Sequence, residues 1–228
     1  MNQRRGGNQN IPRPESWRLG ESPAWESHDL SVLHDVDRVQ SQLLKHIEVA
    51  RPAHGELQQE WVQYAKPSAV LIPILQAEDG PSVVLTRRAD HMRSHKGEMS
   101  FPGGRMEEHE TPSHTALREA HEEVALPHHV VTVLGTLEPI TTFVSNSLIT
   151  PVVGMVEGIP TLRADPSEVA RIMIVPLHDL VRDGTYRNEW WETPRGEINI
   201  HFFELDDETI WGATGRLLHQ LISAITTP

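Results

Sequence analysis

Glu119, Glu122 and Glu123 fall in a stretch whose spacing suits a helix. Steps of three and four residues then place all three carboxylates on one face. Three like charges side by side repel each other, so an isolated helix gains nothing from this arrangement. A hard divalent cation resolves the conflict, because Mg2+ takes its ligands from carboxylate, water and phosphate oxygens. Arg118 lies one turn before Glu122 and can hold that carboxylate in place. Gly104 and Glu110 stand at fixed intervals upstream, giving Gly104-x5-Glu110-x7-Arg118-Glu119-Ala120-x-Glu122-Glu123. A solvated acidic face would account for a lone Glu-Glu pair. It does not account for the glycine turn, Glu110, Arg118 and three aligned glutamates together.

The elements around this group follow from the same reading. Thr111 is suited to N-cap a helix and Pro112 to open it, while Pro127 ends the segment, so the spacing predicts a helix over 111–125. Ala69 to Leu75 is a continuous apolar run that suits a strand buried on both faces. Gly80-Pro81 marks a turn, and Ser82 to Thr86 returns as a second strand. Further strands are expected over 97–101, 130–137, 149–156, 170–175 and 198–205, with a closing amphipathic helix from Trp211 to Ile225. Strands and helices alternate without a regular βαβ rhythm, which favours an α/β fold with a mixed sheet between helices.

Upstream, Leu33, Val36, Val39, Leu43, Leu44 and Ile47 recur at helical spacing and predict a helix over 31–50. A second short helix is expected over 56–64. Residues 1–25, rich in Asn, Gln, Arg, Gly and Pro, read as a flexible lead-in. The organisation expected is thus a flexible segment over 1–25, a helical extension over 26–65 and the main domain over 66–228. Trp190-Trp191 falls in a charged stretch read as a loop, where structural packing is the expected role.

The chain has 228 residues, no cysteine and a formal net charge of −12, with a pI near 5.6. Without cysteine there is no disulfide, thiolate zinc site or cysteine nucleophile. A reducing cytoplasm is the location expected. So acidic a chain is a poor general binder of nucleic-acid backbone. Residues 1–22 hold no apolar signal core, and no run of roughly 18 apolar residues exists to span a membrane. His91 and His95 stand four apart, but no third ligand follows at metalloprotease spacing, so zinc is set aside.

The glutamate constellation resembles the Nudix box, Gly-x5-Glu-x7-Arg-Glu-U-x-Glu-Glu-x-Gly-U with U apolar. One position departs: Ala125 stands where the family has glycine. That glycine ends the helix at positive φ, where a Cβ is unfavourable by about 1 kcal/mol. The departure bears on the helix exit and leaves the carboxylates intact. The resemblance implies a Nudix-type α/β/α sandwich with a mixed sheet, and hydrolysis of a diphosphate joined to a nucleoside. It implies that Glu119, Glu122 and Glu123 bind Mg2+ or Mn2+, that Glu110 helps fix the loop or a water, and that Gly103-Gly104 lies against metal or substrate. Metal ions offset the charge that a diphosphate turns against hydroxide, and they activate water. Glu119 and Glu122 are the candidates within the box for general base. A Nudix-fold module that binds a nucleotide without cleaving it is the rival, but such modules usually lose box carboxylates and here all are present.

A second run, Val84-Leu85-Thr86-x-Arg88-Ala89-x3-Arg93-x3-Gly97-x3-Phe101-Pro102-Gly103-Gly104, is similar to the signature of the coenzyme A pyrophosphatase branch. Segments at Thr150–Gly154, Glu168–Leu177 and Ile210–Gly215 look like that branch too. The resemblance implies coenzyme A or a derivative as a small-molecule substrate, with 4′-phosphopantetheine and adenosine 3′,5′-bisphosphate as products. Arg88 and Arg93 could then engage phosphate oxygens, since Arg suits bidentate phosphate contacts. The alternative is that they form ion pairs or brace the box helix. Glu168, in a segment the branch shares, could orient water or a second metal. A homodimer is compatible with the sequence, as are NADH, ADP-ribose or a nucleoside triphosphate as substrate.

Overall fold

The computed structural model describes residues 6–7, 9, 11–47, 65–92, 96–142, 146–194 and 196–228. Its centre is the apolar run foreseen at 69–75, which forms β2 (Lys66–Ala77). Side chains alternate across a strand. Ala69, Leu71 and Leu75 enter one core cluster, whereas Ile72 and Ile74 enter another on the opposite face. Burial on both faces is what an unbroken apolar strand requires.

The strands are, in chain order, β1 (Trp17–Leu19), β2, β3 (Gly80–Arg88), β4 (Met99–Ser100), β5 (Gly103–Arg105), β6 (Val131–Thr136), β7 (Ile140–Thr142), β8 (Ser147–Val156), β9 (Val169–Pro176), β10 (Tyr186–Thr193), β11 (Gly196–Glu204) and β12 (Thr209–Ile210). The large sheet is mixed. β2 runs parallel to β8 and antiparallel to β3 and β5, and β3 also carries β4 and β9. The helix that bears the glutamates, Pro112–Val124, covers one face through Ala116, Ala120 and Val124. Helix Gly212–Thr226 covers the other through Leu217, Leu218, Leu221, Ile222 and Ile225. These helices are α2 and α4 here. α1 is Val36–His46, and α3 is the single turn Leu177–Leu180. The result is the α/β/α sandwich with a mixed sheet that the sequence led us to expect.

The described part of the extension packs on the same core. Val32, Leu33, Val39 and Leu43 are buried with the apolar face of α4. The single helix expected over 31–50 is two pieces, a 3-10 segment at Leu30–His34 and then α1. Asp35 divides them: its backbone is extended and its carboxylate accepts from the N–H groups of Asp37 and Arg38, at 3.0 and 3.1 Å. An Asp that caps the following turn competes with continuation of the preceding one. The helix expected over 56–64 lies outside the described residues.

A smaller sheet has the order β1-β10-β11-β12. β10 occupies the stretch read as a charged loop around Trp190-Trp191, which is a correction. Its charges are paired across the sheet and so do not preclude a strand. Arg187 bonds Glu204 at 2.8 Å, and Arg13 bonds the buried Glu189 at 2.6 and 2.9 Å. Trp191 is buried as expected, packs near Phe202 and Trp211, and donates its indole N–H to Glu189 at 2.7 Å. Within 1–25, the stretch read from composition as a flexible lead-in, Trp17–Leu19 pairs with β10 and the Gly6 N–H meets the Leu205 carbonyl at 2.5 Å. Composition alone could not show those pairings, because the partners lie some 170 or more residues away (Arg13–Glu189 spans 176).

Candidate active site

β5 brings Gly103 and Gly104 against β2, opposite Val70 and Ala69. A Cβ on Gly103 would lie 2.5 Å from the Ala69 carbonyl oxygen. A Cβ on Gly104 would lie 2.4 to 2.6 Å from the carboxylate of Glu119. Gly103 therefore needs glycine, because the obstacle is backbone, whereas a side chain at Gly104 would displace the Glu119 carboxylate that reaches back across the strand.

α2 starts as foreseen. Thr111 Oγ1 accepts from the His114 N–H at 3.3 Å, and Pro112 opens the first turn. Just before it, Glu110 is held by four hydrogen bonds. Its carboxylate accepts from Arg118 Nε at 2.8 Å, Arg118 Nη2 at 3.0 Å, Thr115 Oγ1 at 2.7 Å and the Glu107 N–H at 2.9 Å. The Arg118 bonds, then those from Thr115 and Glu107, hold this carboxyl far below the usual carboxylate range. Arg118 is a hub: Nη1 also donates to Glu119 at 2.8 Å and Glu122 at 3.1 Å, and Nη2 to the Arg105 carbonyl at 3.2 Å.

Further along the same helix the carboxylates are less well served. Burial raises the pKa of Glu119, Arg118 partly opposes that, and the charges of Glu122 and Glu168 add to the rise. Glu123 is only 4% exposed, and its Oε2 has no hydrogen-bond partner. Burial first, then the charges of Glu119 and Glu168, push its pKa up to about 8 against the pull of Arg88 and a hydrogen bond from the Gly103 backbone. A charge left under-solvated in this way awaits a counter-ion or a proton. Among the described residues no three carboxylate or imidazole groups converge on one point. Arg118 draws Glu119 and Glu122 to itself, so an incoming cation competes with that guanidinium.

The structure brings Glu119, Glu122, Glu123, Arg118 and Glu110 together on or beside α2, and sets Glu168 within electrostatic reach of Glu119 and Glu123. Arg88, at the end of β3, lies within electrostatic reach of Glu123, and its Nε has no hydrogen-bond partner. Arg93 lies outside the described residues, as does His95. His109 and His121 are exposed, and His114 lies 3.3 Å from Glu110. The helix exit takes the left-handed turn expected of the missing glycine: Ala125 has φ 56° and ψ 31°.

Sequence reasoning missed what holds that exit. The N–H groups of Arg163 and Asp165 donate to the carbonyls of Val124 and Glu123, each at 2.9 Å. These carbonyls end a helix and have no partner within it. The segment after β8 thus caps α2 and carries Glu168 with it. No local pattern could have signalled this pairing, which joins positions some 40 residues apart.

A family model described as NUDIX domain matches residues 65–195. A protein of Yersinia enterocolitica named "Uncharacterized Nudix hydrolase NudL" is 34% identical over 191 residues, which cover 82% of this chain and 94% of that one. A protein of the same name from Photorhabdus laumondii is 36% identical over 159 residues, covering 69% and 84%. Among solved structures, a MutT/nudix family protein from Enterococcus faecalis shares 15% identity over 76% of this chain and 74% of that one, with a TM-score of 0.47. A likeness of that size carries no weight for function.

Proposed function

The chain belongs to the Nudix hydrolases, and we propose that it cleaves the diphosphate bond of coenzyme A or its derivatives with the help of Mg2+ or Mn2+. The single observation that carries the site is Glu123, a carboxylate buried with an unpartnered oxygen beside Glu119 and Glu168. The residues fit a hard cation: the donors are all oxygen, their charges repel, and burial has removed water from Glu123 and in part from Glu119, while Glu122 stays exposed. A bound divalent ion supplies charge to offset the diphosphate and activates water.

The chain's own groups do the rest. Glu119, Glu122 and Glu123 would hold the cation. Arg118, fixed by Glu110, keeps Glu119 and Glu122 on the working side of the helix. Glu168 orients the attacking water. The bare backbone of Gly103 and Gly104 lets the substrate approach closely. Arg88 balances the carboxylates, and Arg93 binds a phosphate group. The run from Val84 to Gly104 supports coenzyme A as the substrate.

A product screen tests this reading with coenzyme A, NADH, ADP-ribose and deoxynucleoside triphosphates, each with Mg2+ or Mn2+. Adenosine 3′,5′-bisphosphate and 4′-phosphopantetheine are the expected products from coenzyme A. Cleavage of ADP-ribose with coenzyme A untouched would overturn the substrate and leave the reaction class standing.

A further inference from the structure

The segment that carries Glu168 is fastened at both ends to the elements that carry the other site residues. On one side lie its two bonds to the last carbonyls of α2. On the other, the Glu168 carbonyl accepts from the Ala89 N–H at 2.8 Å, one residue beyond Arg88. The Ser167 carbonyl accepts from His91 Nε2 at 2.9 Å. Between these anchors the chain must reverse over a few residues. Asp165 makes that turn. Its Oδ1 accepts from the Ser167 N–H at 2.9 Å and from Ser167 Oγ at 2.8 Å. Its carbonyl accepts from the N–H groups of Glu168 and Val169 at 3.1 and 2.8 Å. Asp165 and Glu168 are both exposed, while the buried Val169 anchors the far end of the turn. Between that anchor and α2, hydrogen bonds set the path.

We propose that Asp165 is a positioning residue for the reaction: its carboxylate fixes the turn through Ser167 that presents Glu168 to Glu119 and Glu123. The proposal rests on the reading of Glu168 as the group that orients water. Geometry of this kind matters because a displacement of about 1 Å in a reacting array can cost about 100-fold in rate. The backbone anchors at Glu123 and Ala89 remain when the carboxylate is removed, so the loss expected is smaller.

The test compares Asp165→Ala, Asp165→Asn, Glu168→Gln and the double variant Asp165→Ala/Glu168→Gln. All are assayed in the full chain on coenzyme A with Mg2+, or on whichever screened substrate is cleaved fastest. Asp165→Ala is expected to lower kcat about tenfold with KM little changed. Asp165→Asn keeps an oxygen that can accept both bonds and should stay within about threefold of the parent. The double variant should be no slower than Glu168→Gln alone, because both changes act through one group. The affinity of the metal-free protein for Mn2+, titrated by electron paramagnetic resonance, should be the same in Asp165→Ala and the parent.

An unchanged kcat in Asp165→Ala overturns the proposal. So do equal losses in the Ala and Asn variants, additive losses in the double variant, or weakened Mn2+ binding. An unchanged rate in Glu168→Gln alone sinks the reading of Glu168 and the proposal with it. Should Asp165→Ala melt below the assay temperature, Ser167→Ala removes one of the two bonds and should cost about threefold in kcat, with no loss at all overturning the proposal.

Discussion

Glu110 and Glu123 lie in one motif, Glu110 half-buried at the loop before α2 and Glu123 buried beneath the helix. Their proton affinities move in opposite directions. Glu110 is covered by its own donors: the Arg118 fork, the Thr115 hydroxyl and the Glu107 N–H favour its charged form. Glu123 is covered mainly by groups that offer it nothing, so burial favours its neutral form. The first carboxylate is complete and holds structure. The second is incomplete, and on the proposed reading it is where a cation would gain most. Motif position alone does not separate these roles. Counting the donors around each oxygen does.

The sharpest way to break this contrast is Glu123→Gln. If the unpartnered carboxylate is a metal ligand, kcat should fall at least ~100-fold while the fold is kept, because a charge that stabilises the transition state is lost. Unchanged turnover in a folded variant would remove Glu123 from the site. Glu110→Gln should do less to the chemistry and more to the fold. It deprives Arg118 of its strongest partner, so the melting temperature should drop and kcat fall by about tenfold as Glu119 and Glu122 lose their brace. A larger kcat loss than in Glu123→Gln would reverse the assignment of roles.

The contrast also has a sign in pH. Glu110, with its folded-state pKa depressed, contributes stability that is present above its ordinary value of 4.5 and lost as pH falls through the depressed value. Glu123, raised to about 8 in the metal-free protein, contributes stability that is full below 4.5 and lost as pH rises through about 8. Above about pH 6.5, where the buried His201 and His219 no longer add stability with rising pH, the metal-free protein should lose melting temperature up to about pH 8, and Glu123→Gln should flatten that slope. Binding of Mg2+ or Mn2+ at about pH 7 should release about one proton, seen as a dependence of the calorimetric heat on buffer ionisation enthalpy. Binding without proton release would show that Glu123 is already charged.

The smallest effect expected is at the helix exit. Ala125→Gly relieves the left-handed Cβ strain at φ 56°, a gain of at most about 1 kcal/mol because glycine also loosens the unfolded chain. The melting temperature should rise slightly and kcat should hold. A fall in kcat would mean that Ala125 helps hold the neighbouring segment that bears Glu168.

Much of the fold was legible in the sequence. β2 was plain because a short unbroken apolar run between Pro67 and Gly80-Pro81 suits a strand buried on both faces, and α2 because Thr111, Pro112 and Pro127 mark its ends. β10 was not, because Arg187, Glu189 and Glu192 obscure the period of two. Only cross-strand partners show that Glu189 is buried and paired. The break at Asp35 was hidden because the apolar positions run at helical spacing through both pieces.

The sequence by itself determined which carboxylates share a face of α2, where glycine must stand, and that the chemistry is of the Nudix kind. Those features depend on intervals along the chain, and a helix or a turn converts an interval directly into a direction. Only the tertiary structure decided that Glu110 is satisfied and Glu123 is not, that Arg88 comes within electrostatic reach of Glu123, and that Asp165 ties Glu168 to the end of α2. Each of these depends on how many donors surround an oxygen after distant segments have packed, and no interval along the chain encodes that count.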